Sequence, residues 1–265
     1  MLKHILLMMT LFGFLQLGHA ALATASSVTA APVEIRVAAA ADLKFVLGDI
    51  IKEYTVEHPE QTVSAVFGSS GSFTTQIQQG APFDLFFSAD TQNPQTLVKE
   101  GKAEGAVFPY SVGHIVLWVR NESKLDLSKG LNVLTDTSIK KIAIANPAHA
   151  PYGRAAEQAL KKSGVYEKIS SKIVMGENIA QTAQFVETKA ADIGIIAISL
   201  AVSPTLKAEG RFVEVDAKLY EKMIQSGIVV KMTKNSKQAN QFKDFVLGAK
   251  AQKILNDYGL KTVKK

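Results

Sequence analysis

Four short segments of this sequence carry residue types that can hold a small anion without using a positive charge. They are Ala39-Ala40-Ala41-Asp42, Gly68-Ser69-Ser70-Gly71-Ser72, Ala148-His149-Ala150-Pro151-Tyr152-Gly153 and Gly176-Glu177-Asn178-Ile179. Each stands between an apolar run and a stretch with helical spacing. A helix start carries unpaired backbone N–H groups and the positive end of the aligned peptide dipoles, so it attracts anions. The Gly/Ser segment adds hydroxyl donors and lets the backbone come close. Any one of these segments reads equally well as an ordinary N-cap and turn. Four of them meeting at one cleft would make a site.

Catalytic chemistry finds less support. The 5 histidines fall at positions 4, 19, 58, 114 and 149 and form no H-x-x-x-H pair, and the 0 cysteines remove thiolate ligands and a cysteine nucleophile. Ser70, His149 and Asp90 could be drawn as nucleophile, base and orienter. The G-x-S-x-G elbow is absent, however, because Gly71 follows Ser70 directly. Neither a Walker A lysine pattern nor G-x-G-x-x-G occurs. A binding protein is expected rather than an enzyme, with no cofactor and no side chains acting as direct cation ligands.

The elements that must position these segments alternate. Val33–Ala40, 62–67 and 84–88 read as strands, each followed by helical spacing, with helices from about Phe73 and from Pro94. The pattern restarts at 115–119, and 142–145, 172–175 and 193–196 repeat the strand-then-helix order, with helices from about Gly153 and Ile179. Strands at 212–215 and 227–230 and a helical end stopped by Gly259 complete it. Two α/β units without a Pro/Gly/Ser-rich linker imply two lobes joined by strand crossovers. In such sheets ligands sit at the carboxyl ends of the strands.

At 47% hydrophobic and 20% charged, the chain of 265 residues lies in the globular range, so disordered and fibrous classes are set aside. The formal charge of +6 is scattered rather than clustered, which argues against a nucleic-acid partner. Met1-Leu2-Lys3-His4, the apolar stretch 5–17 and small-residue sites at Gly18-His19-Ala20 and Ala21-Leu22-Ala23 read as a cleaved signal peptide over 1–23, with 24–32 a flexible leader. The apolar stretch is shorter than the ~20 residues a spanning helix needs. A monomer exported to the periplasm is expected.

Several runs together resemble the periplasmic molybdate/tungstate-binding proteins of bacterial ABC importers. They are Val37-Ala38-Ala39-Ala40-Ala41-Asp42-Leu43, Phe67-Gly68-Ser69-Ser70, the stretch 76–90 ending Gly80-Ala81-Pro82-Phe83-Asp84-Leu85-Phe86-Phe87-Ser88-Ala89-Asp90, Asn146-Pro147-Ala148-His149-Ala150-Pro151-Tyr152-Gly153, and Tyr258-Gly259-Leu260. The resemblance spans about residues 33–261. It implies a two-lobed (type II) solute-binding fold, each lobe a mixed sheet flanked by helices, with the ligand in the interlobe cleft. Lobe I would comprise 24–113 and 229–265, and lobe II 114–228. It also implies molybdate or tungstate as ligand, an inner-membrane permease as partner, and an oxyanion site at Ala41, Asp42, Ser69, Ser70, Tyr152 and Ile179. A tyrosine that one branch places after the Gly-Ile-Val strand is Ala197 here, and the Tyr152 form resembles the branch that supplies its tyrosine from the Pro-Tyr-Gly loop.

Asp42 departs from that pattern, where one branch has Ser and another Asn. A carboxylate about 4 Å from an anion is repelled by about 4 kcal/mol per charge pair at an effective dielectric of about 20. Either Asp42 turns away as an N-cap, the favoured expectation, or the ligand is a protonated oxyanion such as hydrogen phosphate. A binding protein for phosphate or sulfate, and more remotely a secreted serine hydrolase, are the alternatives.

Overall fold

The computed structural model describes residues 32–263; the expected signal peptide and nearly all of the leader lie outside the described residues. The chain runs β1 (Val33–Ala40), a 3-10 turn at Ala41–Leu43, α1 (Val46–Glu57), β2 (Gln61–Gly68), α2 (Ser70–Gln78), β3 (Leu85–Ser88), α3 (Gln92–Lys99) and β4 (Ala103–Gly113). It continues with β5 (Ile115–Arg120), a 3-10 segment at Leu127–Thr135, β6 (Ile142–Ala145), α4 (Pro151–Lys162), α5 (Tyr166–Ile169), β7 (Ile173–Gly176), α6 (Ile179–Glu187), β8 (Ile193–Ala197), α7 (Ile198–Ala201), α8 (Pro204–Glu209) and β9 (Gly210–Glu214). β10 (Met223–Val230), α9 (Ser236–Leu247) and α10 (Ala249–Asp257) close it.

The strands form two five-stranded sheets, β2-β1-β3-β10-β4 and β7-β6-β8-β5-β9. The two sheets share one plan. Three parallel strands (β2, β1, β3 and β7, β6, β8) are followed by two antiparallel ones. The antiparallel neighbour of each trio comes from the other half of the chain order, so the chain crosses between sheets at His114 and again between β9 and β10. That second crossing precedes Met223, whereas the sequence reading placed it at 228/229. The correction follows from pairing: β10 already pairs with β4 from Met223↔Gly113 onward.

Alternate residues of β1 face opposite layers, as a two-residue period requires. Ile35, Val37 and Ala39 pack with Leu47, Phe242 and Leu255, so the final helices return to the first sheet. Ala38 faces Phe73, Ile77, Leu97 and Ile228. The second sheet buries Val116, Trp118, Ile144 and Ile195 among α4 and α6. Each large apolar side chain so buried contributes about 1.5–3 kcal/mol, which suits a chain with no disulfide to support it. No helix among the described residues is long and apolar enough to cross a membrane.

Two features differ from the sequence reading. Helices begin earlier than expected: α2 at Ser70, because Ser69 caps it by accepting the N–H of Ser72, and α4 at Pro151, where proline suits a first-turn position. β4 went unread because Gly105 and Pro109 interrupt it. Proline is tolerated there because β4 is an edge strand and its pairing slips between Gln225 and Ser226.

Candidate oxyanion-binding site

Strand register assembles the site. β1 and β2 end flush, Ala40 beside Gly68, so the Ala41–Leu43 turn and the start of α2 lie together. β6 and β7 do the same, Ala145 beside Gly176, which sets the starts of α4 and α6 side by side. The two pairs face each other across a small cavity lined by Ala41, Asp42, Ser69, Ser70, Tyr152 and Ile179 together with Ala40, Gly68, Ala89, Ala150 and Pro151. All of the residues expected from sequence are therefore brought to one place.

Ser70 is fully buried, at 0% exposure, and its Oγ accepts the Ala89 N–H at 3.0 Å. That bond fixes the oxygen and leaves the hydroxyl proton free for a ligand. Ser70 and Ile179 are the first residues of α2 and α6, and Tyr152 the second of α4. Their N–H groups have no acceptor within their own helices. Asn178 caps α6 by accepting the N–H groups of Ala180 and Gln181, both at 3.0 Å, which leaves Ile179 N–H uncapped. Ser69 has a different task. Its Oγ donates to Ser72 Oγ at 2.7 Å and lies 3.0 Å from His149 Nδ1 of the other lobe.

Asp42 corrects the expected cap. The capping position of its turn is Ala40, and no side chain caps it. The carboxyl instead points inward. Its Oδ2 accepts Gln225 Nε2–H at 2.6 Å and the Tyr152 hydroxyl at 3.0 Å, while Oδ1 is buried without a hydrogen-bond partner. Burial pushes its pKa up to about 7, against the lowering effect of the bonds from Gln225 and Tyr152. Tyr152, which also accepts from Gln225 at 3.0 Å, donates its only proton to Asp42. Its backbone N–H, not its hydroxyl, is thus the group available to a ligand. Burial, reinforced by the Asp42 charge, holds the Tyr152 phenol well above its usual range.

Gln225 is the residue the sequence reading missed. It lies in the first half of β10 and is fully buried beside Ser111 and Ser226; a polar strand end gives no apolar alternation to find. The closed arrangement is held by further contacts between the lobes. Gly71 N–H donates to His149 C=O at 2.9 Å, Ser199 Oγ donates to Asp42 C=O at 2.8 Å, and Arg154 is ion-paired with Asp90.

The drawn hydrolase trio does not assemble. His149 faces Ser69 and Glu177 rather than Ser70, and Asp90 is engaged by Arg154, Asn93 and Ser88. Ala197 ends β8 fully buried and brings no hydroxyl. Among the described residues no group of three or more His, Asp or Glu side chains could hold a metal cation.

The family model of bacterial extracellular solute-binding proteins matches residues 35–261. The chain is 37% identical over 227 residues to the molybdate-binding protein ModA of Azotobacter vinelandii, covering 85% of this chain and 89% of that one. It is 38% identical over 207 residues to the molybdate-binding protein ModA of Rhodobacter capsulatus, covering 78% and 80%. The solved structure of the Azotobacter vinelandii periplasmic molybdate-binding protein superimposes with a TM-score of 0.82 at 30% identity, over 87% of this chain and 100% of that one.

Proposed function

Because this chain belongs to the family of bacterial extracellular solute-binding proteins, we propose that it captures molybdate or tungstate in the periplasm and delivers it to the permease of an ABC importer. The observation that carries the reading is the small cavity at which neutral donors from both lobes converge. Ser70 offers a hydroxyl, and Ser70, Tyr152 and Ile179 offer backbone N–H groups at helix starts. Such a wall suits a small tetrahedral anion, and the neighbouring lobe contacts close over it. The protein acts as a monomer, without a cofactor and without turnover, since Ser70 has no base beside it. Molybdate-binding relatives at 37–38% identity support the choice of ion.

One observation favours a second reading. The Asp42 carboxyl on the cavity wall could accept a proton from hydrogen phosphate, so a protonated oxyanion is the rival ligand. Thermal melting separates the two. Molybdate or tungstate at ~100 times its Kd should add about 2.7 kcal/mol, which is about 5–11 °C for a chain of this size. A clear shift with phosphate or sulfate and none with molybdate or tungstate would replace the ion in this proposal.

A further inference from the structure

Asp42 is the acidic side chain on the cavity wall, and its two oxygens are treated differently. Both side-chain donors that reach it, Gln225 Nε2–H and Tyr152 O–H, land on Oδ2. Oδ1 is left buried and unpartnered in a residue only 1% exposed. This is the pattern of a neutral carboxylic acid: one oxygen accepts twice, as a carbonyl does, and the other, in a residue that lines the cavity, is free to carry a proton. A charged carboxylate there would leave a buried anionic oxygen without compensation. It would also repel the bound ion by about 4 kcal/mol per charge pair at about 4 Å.

We infer that Asp42 is a ligand-binding residue in its protonated form, its Oδ1–H donating a hydrogen bond to the fully deprotonated oxyanion, so that capture takes up a proton. The inference rests on the oxyanion reading above. It removes the need for a protonated ligand, because the proton sits on the protein.

The surroundings agree. Among the described residues no cationic side chain helps to hold the carboxylate ionised, and burial places its titration at about 7 before any ligand arrives. A dianion alongside must raise it further. β2, α7 and β10, which pack around it, carry no ionisable side chain. From β4 and α4 come Tyr110 and Tyr152, both held neutral by burial. Of the charged groups on neighbouring elements, Glu34 and Arg36 of β1 pair with each other. Asp49 and Lys52 of α1 likewise pair, as do Glu157 and Lys161 of α4. Arg154 of α4 is bound to Asp90. Glu53 and Glu57 of α1 pair with Lys250, and Lys44 and Glu187 border a neighbouring surface groove. His149 reaches the cavity edge only through Ser69, and burial keeps His114 on the neutral side.

The test is calorimetric titration of the mature protein with molybdate between pH 6 and 8.5, in buffers of different ionisation enthalpy, which counts protons directly. Wild type should take up close to no proton at pH 6 and approach one at pH 8.5, with affinity falling toward tenfold per pH unit above about pH 7. Asp42→Asn keeps a carbonyl for Tyr152 and Gln225 and an N–H where the acid had O–H. It should bind with no proton uptake, a flat pH profile, and higher affinity than wild type at pH 8.5. Binding by wild type with no proton uptake across the range overturns the inference and leaves the transport reading standing. So does an equal pH slope in Asp42→Asn, which would put the proton on His149 or the ion. Absence of molybdate or tungstate binding to wild type at pH 6 overturns the transport reading, and the inference with it.

Discussion

Replacing Ser70 by alanine should damage binding and folding by separable amounts. In the folded protein Ser70 Oγ accepts the Ala89 N–H at 3.0 Å while 0% exposed, so its loss orphans a buried donor whether or not ligand is present. That should cost about 1–3 kcal/mol of apo stability, or about 2–12 °C of melting temperature at roughly 2–4 °C per kcal/mol. The hydroxyl proton, free in the apo protein, would be lost to the anion. A hydrogen bond to a charged group contributes about 1.5–3 kcal/mol, so molybdate affinity should fall about 10- to 150-fold. Calorimetric titration at a temperature where the variant stays folded measures the second effect, and melting of the ligand-free variant measures the first. An apo protein melting lower but binding as tightly as wild type would refute the assignment, making Ser70 a clasp for Ala89 and nothing more.

Two other perturbations have defined outcomes. A Cβ on Gly71 would stand 2.8 Å from His149 C=O across the lobe boundary, so Gly71→Ala should disfavour the closed form. Molybdate affinity should drop at least about tenfold and small-angle scattering should show a wider ligand-bound particle; unchanged affinity would mean the lobes do not close through this contact. Unfolded Asp42 ionises near 3.8, whereas the folded carboxyl keeps its proton to about 7; between those values the folded state binds more protons, so rising pH favours unfolding. The Asp42 contribution should therefore cost apo stability on the order of 4 kcal/mol between pH 4 and pH 7, and the melting advantage of Asp42→Asn over wild type should grow as pH rises from 5 to 8.

The sequence showed the site's position better than its chemistry. The four strand-to-helix junctions near Ala40, Gly68, Ala150 and Asn178 were visible, though not the residues at which α2 and α4 begin, because small and capping residues sit where apolar runs end. Their pairing was then dictated by parallel register, Ala40 with Gly68 and Ala145 with Gly176. The role of Asp42 turned on whether it occupies the capping position or lies inside the turn, an offset of a single residue that composition cannot resolve. Gln225 was invisible for a different reason. The ends of β4 and β10 nearest the cleft bury Ser111, Gln225 and Ser226, Ser111 bonding to Gln225 and Ser226 to Thr91, so no apolar alternation marks them as strand. The Tyr152 hydroxyl followed from the same omission: without Gln225 and an inward Asp42, nothing in the sequence shows that its proton is already committed.

The shared plan of the two sheets gives a reason for coupling capture to closure. Each lobe ends two parallel strands flush and so contributes two helix starts, which is half of the donor set. An anion on one half alone keeps much of its hydration and meets only part of the field. The contacts that bring the halves together, Gly71 to His149, Tyr152 to Asp42, Ser199 to Asp42 and Arg154 to Asp90, all join residues of different sheets. Two of these four end on Asp42. Ionisation of that carboxyl in the closed form would leave Oδ1 charged, buried and unpartnered, which makes opening the lobes to water the cheapest relief. The same residue therefore ties the charge of the site to the position of the lobes, and the sign is fixed: a proton on Asp42 favours the closed, anion-holding form.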